Sequence, residues 1–205
     1  MNIALQDVGK KYEALWIFRH IDFDFQDGRK YAITGLNGSG KSTLSKIILK
    51  GLDCSEGKVL HYDDTNTIIS DDVSIAKQIA FASPYMQLPE DLSVTEILQY
   101  AYTFSTFIMP ISDFLHYSYL NEFKDKRSRH LSSGTKQRLK LAMALLSDKT
   151  TIVLDEPCSN MDEHGKKWYL DTIQKYNSQK LIIVASNDSE EYIFCDKVLK
   201  IKSLK

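Results

Sequence analysis

Long apolar runs are scarce in this chain of 205 residues. The longest, around Leu139 to Leu146, is interrupted by Lys140, and nothing approaches the ~20 apolar residues that a membrane-spanning helix needs. The start, Met1-Asn-Ile-Ala-Leu-Gln-Asp7, lacks the basic and apolar regions of a secretory leader. Cysteine is almost as scarce. Cys54, Cys158 and Cys195 lie far apart without metal-ligand or redox spacing, which excludes a disulfide framework and reads as free thiols in a reducing compartment. Charge of one sign is missing too: 26 Lys and Arg stand against 27 Asp and Glu, a formal net charge of −1. That removes any general electrostatic pull toward nucleic acid or anionic lipid. There is no internal repeat, low-complexity tract or long linker, so a single globular domain over residues 1–205 is expected, placed in the cytoplasm. Any membrane role must then come through a partner.

Glycine is also sparse, yet three of the nine glycines crowd into Gly35-Leu-Asn-Gly-Ser-Gly-Lys-Ser42. The spacing is G-x-x-x-x-G-K-[ST], the phosphate-binding loop of nucleoside triphosphatases. Lys30–Thr34 before it is apolar and β-branched enough for a strand. Thr43–Lys50 after it has helical spacing and stops near Gly51. In that context the backbone N–H groups of Asn37, Gly38, Ser39, Gly40 and Thr43 can face phosphate oxygens, aided by the helix N-terminus. Lys41 would reach the β- and γ-phosphates, and the Ser42 hydroxyl would hold Mg²⁺.

Further on, Thr151-Ile-Val-Leu-Asp155-Glu156 reads as a buried strand ending in two carboxylates. Asp155 at the carboxyl edge of a sheet can hold the metal's hydration shell, and Glu156 can orient or deprotonate an attacking water.

Other strand-like runs are Ile3–Asp7, Ile21–Phe25, Tyr31–Thr34, Ile79–Ala82, Leu181–Ala185 and Val198–Ile201. Helical periodicity covers Thr135–Leu146 and, with Asp162 as N-cap, Glu163–Tyr176. Continuous apolar strands alternating with helices predict a parallel sheet covered on both faces, class α/β. The early strands, separated by turns, predict an antiparallel subdomain. The aromatic stretch from Val94 to Phe123 reads as helical but broken at Pro110.

Leu131-Ser132-Ser133-Gly134, followed by Thr-Lys-Gln-Arg and a helix, resembles the signature of the ATP-binding cassette (ABC) ATPases, and it stands just upstream of the Asp155-Glu156 strand as in that family. Ser159-Asn160-Met161-Asp162 is similar to the family's D-loop, and Tyr12 sits where an aromatic stacks on adenine. The resemblance covers essentially the whole chain. It implies a P-loop ATPase core with an antiparallel β subdomain and a helical subdomain at roughly residues 84–147. It also implies ATP and Mg²⁺ as ligands, and head-to-tail pairing with a second copy or a related ATPase subunit. Ser132, Ser133 and Gly134 of one copy would cap the γ-phosphate held by the other. The partner would be a separately encoded transmembrane transporter subunit, with this chain peripheral to the inner membrane face; no nucleic acid is expected.

Three departures from the family pattern matter. Ser133 and Thr135 replace a Gly and a Gln of the signature, keeping a hydroxyl and the helix start. The glutamine expected after Ile79–Ala82 is absent at Ser83-Pro84, leaving Gln87, three residues on, either as a replacement metal ligand or as a plain loop residue. After Leu181–Ala185, where the family places a histidine on the γ-phosphate, the chain has Asn187, which can donate a hydrogen bond but cannot carry charge. The five histidines lie elsewhere, so hydrolysis is expected to be slow or partner-dependent. A soluble ATP-dependent assembly switch without transport is the competing reading. The cluster Lys124–His130, with Asp125 inside it, reads as a solvated loop. The segment Tyr100–Tyr119 lies where the family docks its membrane partner.

Overall fold

Alternating apolar and polar residues over Asn2–Tyr12 and Leu15–Phe25 make two long antiparallel strands, β1 and β2, joined by a turn in which Glu13 takes a left-handed φ of 54°. This is a computed structural model, and it describes residues 1–202. The strand Glu56–Tyr62 (β4) pairs on the other side of β1, giving an antiparallel sheet of order β2-β1-β4. Sequence reading starts β2 six residues late, ends β1 at Asp7 and passes over β4. Asp7 and His20, both at positive φ, interrupt the register, and they break the alternation by which a strand is recognised.

Four strands, Lys30–Thr34 (β3), Thr151–Asp155 (β6), Leu181–Ala185 (β7) and Lys197–Lys200 (β8), run parallel in the order β6-β7-β3-β8. Every residue of β6 and β7 is buried, as continuous apolar runs in a covered parallel sheet require. The register sets Asp155 beside Ala185 and Ala185 beside Ile33. The ends of β6, β7 and β3 thus share one edge, the carboxyl edge where ligands of such sheets bind. The helix Lys41–Ile48 (α1) packs against β6 and β7. A short helix, Asp72–Gln78 (α2), is capped by the Asp71 carboxylate, which accepts from the N–H groups of Val73 and Ser74. These elements form one compact unit: Met1–Ile79, Thr150–Glu156 and the chain from Gln179 on.

The second unit comprises Ala80–Lys149 and Pro157–Ser178. The strand Ile79–Ala82 (β5) leads into it. The helix Val94–Phe104 (α3) opens with a capping box between Ser93 and Glu96. The break expected at Pro110 falls earlier: α3 stops at Phe104, with Ser105 extended as its C-cap, and Pro110 instead stands at the N-cap of Ile111–Tyr117 (α4), a position a proline tolerates because no backbone donor is needed there. Ser133–Leu145 (α5) and Glu163–Tyr176 (α6) are capped by Ser132 and Asp162. Their core holds Leu98, Phe114, Leu120 and Leu139, all fully buried. Tyr102 stacks on Phe107 at 4.2 Å, and Trp168 donates from Nε1 to the Tyr117 carbonyl at 3.0 Å. No helix among the described residues is long and apolar enough to cross a membrane.

Candidate functional site

The phosphate loop leaves β3 at Gly35 and enters α1 at Lys41. Gly38 and Gly40 take left-handed φ values of 77° and 101°, which only glycine adopts without strain. Gly40 has a second reason to lack a side chain. A Cβ there would lie 2.5 Å from Ile17 Cγ2 and 2.8 Å from Phe18 Cδ1. Both reach the loop because β2 carries an extra residue: Lys10 pairs with Phe18 and Lys11 with Trp16, leaving Ile17 bulged between them. The antiparallel sheet therefore sets the floor of the loop, a contribution that the motif spacing does not reveal.

Lys41 is 6% exposed. Its Nζ donates to the carbonyls of Gly35 (3.0 Å) and Leu36 (3.4 Å), so the ammonium sits inside the curl of the loop. Ser39 Oγ is buried there without a hydrogen-bond partner. Thr43 is half-buried in the first turn of α1. An unpaired buried hydroxyl and a lysine held by carbonyls, at the N-terminal end of α1, fit an anionic ligand such as a nucleoside triphosphate.

The Ser42 hydroxyl donates to Asp155 Oδ1 at 3.0 Å. Asp155 is 2% exposed, and burial raises its pKa above the usual carboxylate value, opposed by the Ser42 hydrogen bond. Two hard oxygen donors at this distance, one on a carboxylate whose charge is poorly solvated, fit a small divalent cation such as Mg²⁺. Glu156 follows with φ +44°, its N–H donating to the Ala185 carbonyl at 2.9 Å. This left-handed conformation in a non-glycine residue costs about 1–2 kcal/mol. It turns the chain sharply at the end of β6, so Glu156 does not continue the strand's alternation.

Asn187 lies just past β7 and donates from Nδ2 to Asn37 Oδ1 of the phosphate loop at 2.6 Å. Within the first unit, then, Asn37, Lys41, Ser42, Asp155, Glu156 and Asn187 meet along one sheet edge. Tyr12 is half-exposed at the end of β1, with Lys10 Nζ 5.3 Å from its ring centre. Across the same hairpin Trp16 lies between Lys11 and Arg19, at 5.4 and 4.1 Å, and Arg19 pairs twice with Glu56. The Lys11–Trp16 and Arg19–Glu56 contacts join residues on different strands, so a reading along the chain misses them.

The remaining predicted residues belong to the second unit. Ser132 caps α5, accepting from the Thr135 N–H at 3.1 Å. Ser133 and Gly134 open that helix. Gly134 is required by proximity: a Cβ there would lie 2.6 Å from the Asn160 carbonyl. With Tyr119, Arg138, Asp162 and His164, these residues line a hollow of about 500 Å³. Arg138 reaches Asp162 at 3.6 Å and lies 5.7 Å from the rings of both Tyr119 and Trp168, fixing the start of α6 against α5. Gln87 is exposed on the loop after β5 and lines a separate cleft of about 240 Å³.

A family model described as ABC transporter matches residues 18–159. Among curated proteins, the chain is 30% identical over 208 residues to the energy-coupling factor transporter ATP-binding protein EcfA1 of Mycoplasma pneumoniae, covering 96% of this chain and 74% of that protein. It is 29% identical over 181 residues to the ribosome protection protein VmlR of Bacillus subtilis, where 88% of this chain spans only 31% of the relative. Among solved structures, a dimeric bacterial ABC transporter cassette superposes with a TM-score of 0.83 at 23% identity, covering 99% of each chain. That likeness shows the α/β P-loop fold with its added antiparallel sheet.

Proposed function

This chain belongs to the ABC transporter family, and from that premise we propose that it is the ATP-binding, ATP-hydrolysing subunit that drives a separately made membrane protein through ATP-dependent pairing of two copies. The observation that carries the reading is the contact between Ser42 and Asp155 behind the phosphate loop, with Glu156 next in the chain. It brings together two motifs more than a hundred residues apart, which supports a reading as phosphoryl transfer to water.

The chemistry follows from what each group can do. Lys41, now on the carbonyls of Gly35 and Leu36, transfers its donors to the β- and γ-phosphates, and the loop N–H groups from Asn37 to Thr43 take the remaining oxygens. Ser42 and Asp155 would hold Mg²⁺, which would supply positive charge to offset that of the phosphates. Gln87 is the one further metal ligand we assign, through the loop after β5. Glu156 accepts the proton of the attacking water, and Asn187 donates its amide N–H to the γ-phosphate. Tyr12 offers a ring face to the adenine. Ser132, Ser133 and Gly134 of one copy close over the γ-phosphate held by the other, with a homodimer or a pairing with a related ATPase subunit as the working unit. The chain would sit at the inner membrane face through a transmembrane partner.

The test loads Glu156→Gln with ATP and uses it as bait in detergent-solubilised source cells. Removing the base traps the closed dimer, and a polytopic membrane protein recovered with it supports the transport reading. A closed dimer that brings down only soluble proteins moves the function to a cytosolic ATP switch.

A further inference from the structure

Lys140 is 4% exposed on the face of α5. Lysine is almost never buried this far unless its ammonium is satisfied. Here Nζ donates to the Pro84 carbonyl at 2.7 Å, and burial, with Lys136 nearby, lowers its pKa. Pro84 stands in the loop where the glutamine expected after β5 is missing. That loop is internally ordered: Tyr85 N–H bonds to Ser83 Oγ and Met86 N–H to the Ser83 carbonyl, each at 3.2 Å. Gln87 follows directly.

On α5, Ser133, Lys136 and Lys140 stand at i, i+3 and i+7, one helical face. All three line the 240 Å³ cleft whose opposite wall is the Pro84–Leu88 loop. The titratable groups around that cleft are Tyr85 and Glu90 from the loop side and Lys136 and Lys140 from the helix; Lys140 crosses to the Pro84 carbonyl, while Ser128 Oγ holds the far end of the connection at the Pro89 carbonyl. One end of the helix carries Ser133 of the signature and its middle carries the tether. We propose that Lys140 is a positioning residue that ties the Gln87 loop to the signature helix, so that a displacement of the loop is delivered to Ser132, Ser133 and Gly134. The proposal rests on the functional reading above, in which Gln87 of that loop meets the metal.

The experiment compares the full-length wild type with Lys140→Met, Lys140→Arg, Gln87→Ala and the Lys140→Met/Gln87→Ala double variant. Two readouts are used: ATP turnover, and amide hydrogen exchange over Tyr85–Leu88. Met keeps the apolar stem and removes the ammonium. The expected result is an exchange rate at Tyr85–Leu88 raised about tenfold in Lys140→Met, with α6 protection unchanged and Arg restoring the wild-type rate. Turnover should fall about tenfold in each single variant and no further in the double, because residues on one path are not additive. Unchanged exchange in the loop, or losses that multiply in the double variant, would overturn the proposal. If Lys140→Met loses protection throughout the second unit, Lys140→Gln repeats the comparison with a shorter neutral head. A wild type without ATP turnover removes the functional reading, and loop exchange still decides the tether.

Discussion

Asn187 and Asn37, 150 residues apart in the chain, are joined side chain to side chain: the Asn187 amide donates from Nδ2 to Asn37 Oδ1 at 2.6 Å. The loop after β7 is thereby held to the phosphate loop by two groups that neither titrate nor carry charge. Both side chains are exposed, so the bond contributes only about 0.5–1 kcal/mol net and is readily exchanged for a stronger one to a phosphate oxygen.

Asn187→Ala should therefore lower turnover about tenfold while nucleotide affinity changes less than about threefold, since the donor matters most where charge develops on the transferring phosphoryl group. Asn187→His should raise turnover above wild type and add a limb near about pH 6.5, the ordinary histidine range. Steady-state hydrolysis between pH 5.5 and 8.5 reads both effects. An Asn187→His enzyme with wild-type rate and profile would remove Asn187 from the reaction.

Gly40 and Gly38 offer a paired comparison. Both have left-handed φ, but a Cβ at Gly38 meets open space whereas one at Gly40 meets Ile17 and Phe18. Gly38→Ala should cost about 1–2 kcal/mol from backbone strain alone. Gly40→Ala should add roughly 1–3 kcal/mol from overpacking and weaken ATP binding much further, because the loop must move away from β2. Thermal melts and titration calorimetry on the two variants separate these terms. Equal losses would mean that the β2 bulge does not set the floor of the loop.

The contrast between those two glycines marks the limit of what a linear reading recovers. The phosphate loop, the Asp155-Glu156 pair and the existence of a covered parallel sheet were legible because each depends on neighbours in sequence: glycine spacing, an unbroken apolar run, a cap. That the aromatic stretch is not one continuous helix was legible for the same reason, since proline acts locally, but Pro110 marks the start of α4 and not the end of α3, which stops before it at Phe104. The bulge at Ile17, the Lys11–Trp16–Arg19 stack and the approach of Gly134 to Asn160 depend on residues brought together by strand register and helix packing, which no local pattern encodes. The strand β4 was missed because Glu56-Gly-Lys opens it without apolar alternation, and its place comes from pairing with β1. The short helix α2 carries its signal in the Asp71 cap, seven residues from its end, with Ile75 alone buried.

Asp155 is destabilising to the protein on its own. Its pKa is raised in the folded chain by burial, so above its unfolded value the native state binds protons more readily than the unfolded one, and ionisation at neutral pH costs stability. Asp155→Asn should raise the melting temperature at pH 7.5 by about 2–4 °C, the equivalent of roughly 1 kcal/mol in a chain of this size. The gain should shrink as pH falls toward the carboxylate range, where the wild-type side chain becomes neutral. Mg²⁺-dependent hydrolysis should be lost in the same variant. A lowered melting temperature in Asp155→Asn would show that the Ser42 hydrogen bond outweighs the burial of charge.

His61 on β4 gives the opposite dependence. It is 1% exposed, and its Nε2 lies 2.8 Å from the Ile48 carbonyl at the end of α1, while Nδ1 is buried without a partner. The helix terminus would favour a charged imidazole, but burial dominates and lowers the pKa, with Lys50 adding to the effect and the Ile48 bond and Asp72 opposing it. In the unfolded chain the ring protonates near about pH 6.5, so below that value the unfolded state binds more protons and stability falls with pH. The loss runs from about pH 6.5 down to the depressed folded value and cannot exceed about 1.4 kcal/mol per pH unit. His61→Gln keeps a donor for Ile48 and removes the titration. Urea unfolding at pH 7.5 and 5.5 should show a larger drop for wild type than for the variant, with the difference confined to that window. Parallel drops would assign the acid sensitivity of the first unit to groups other than His61.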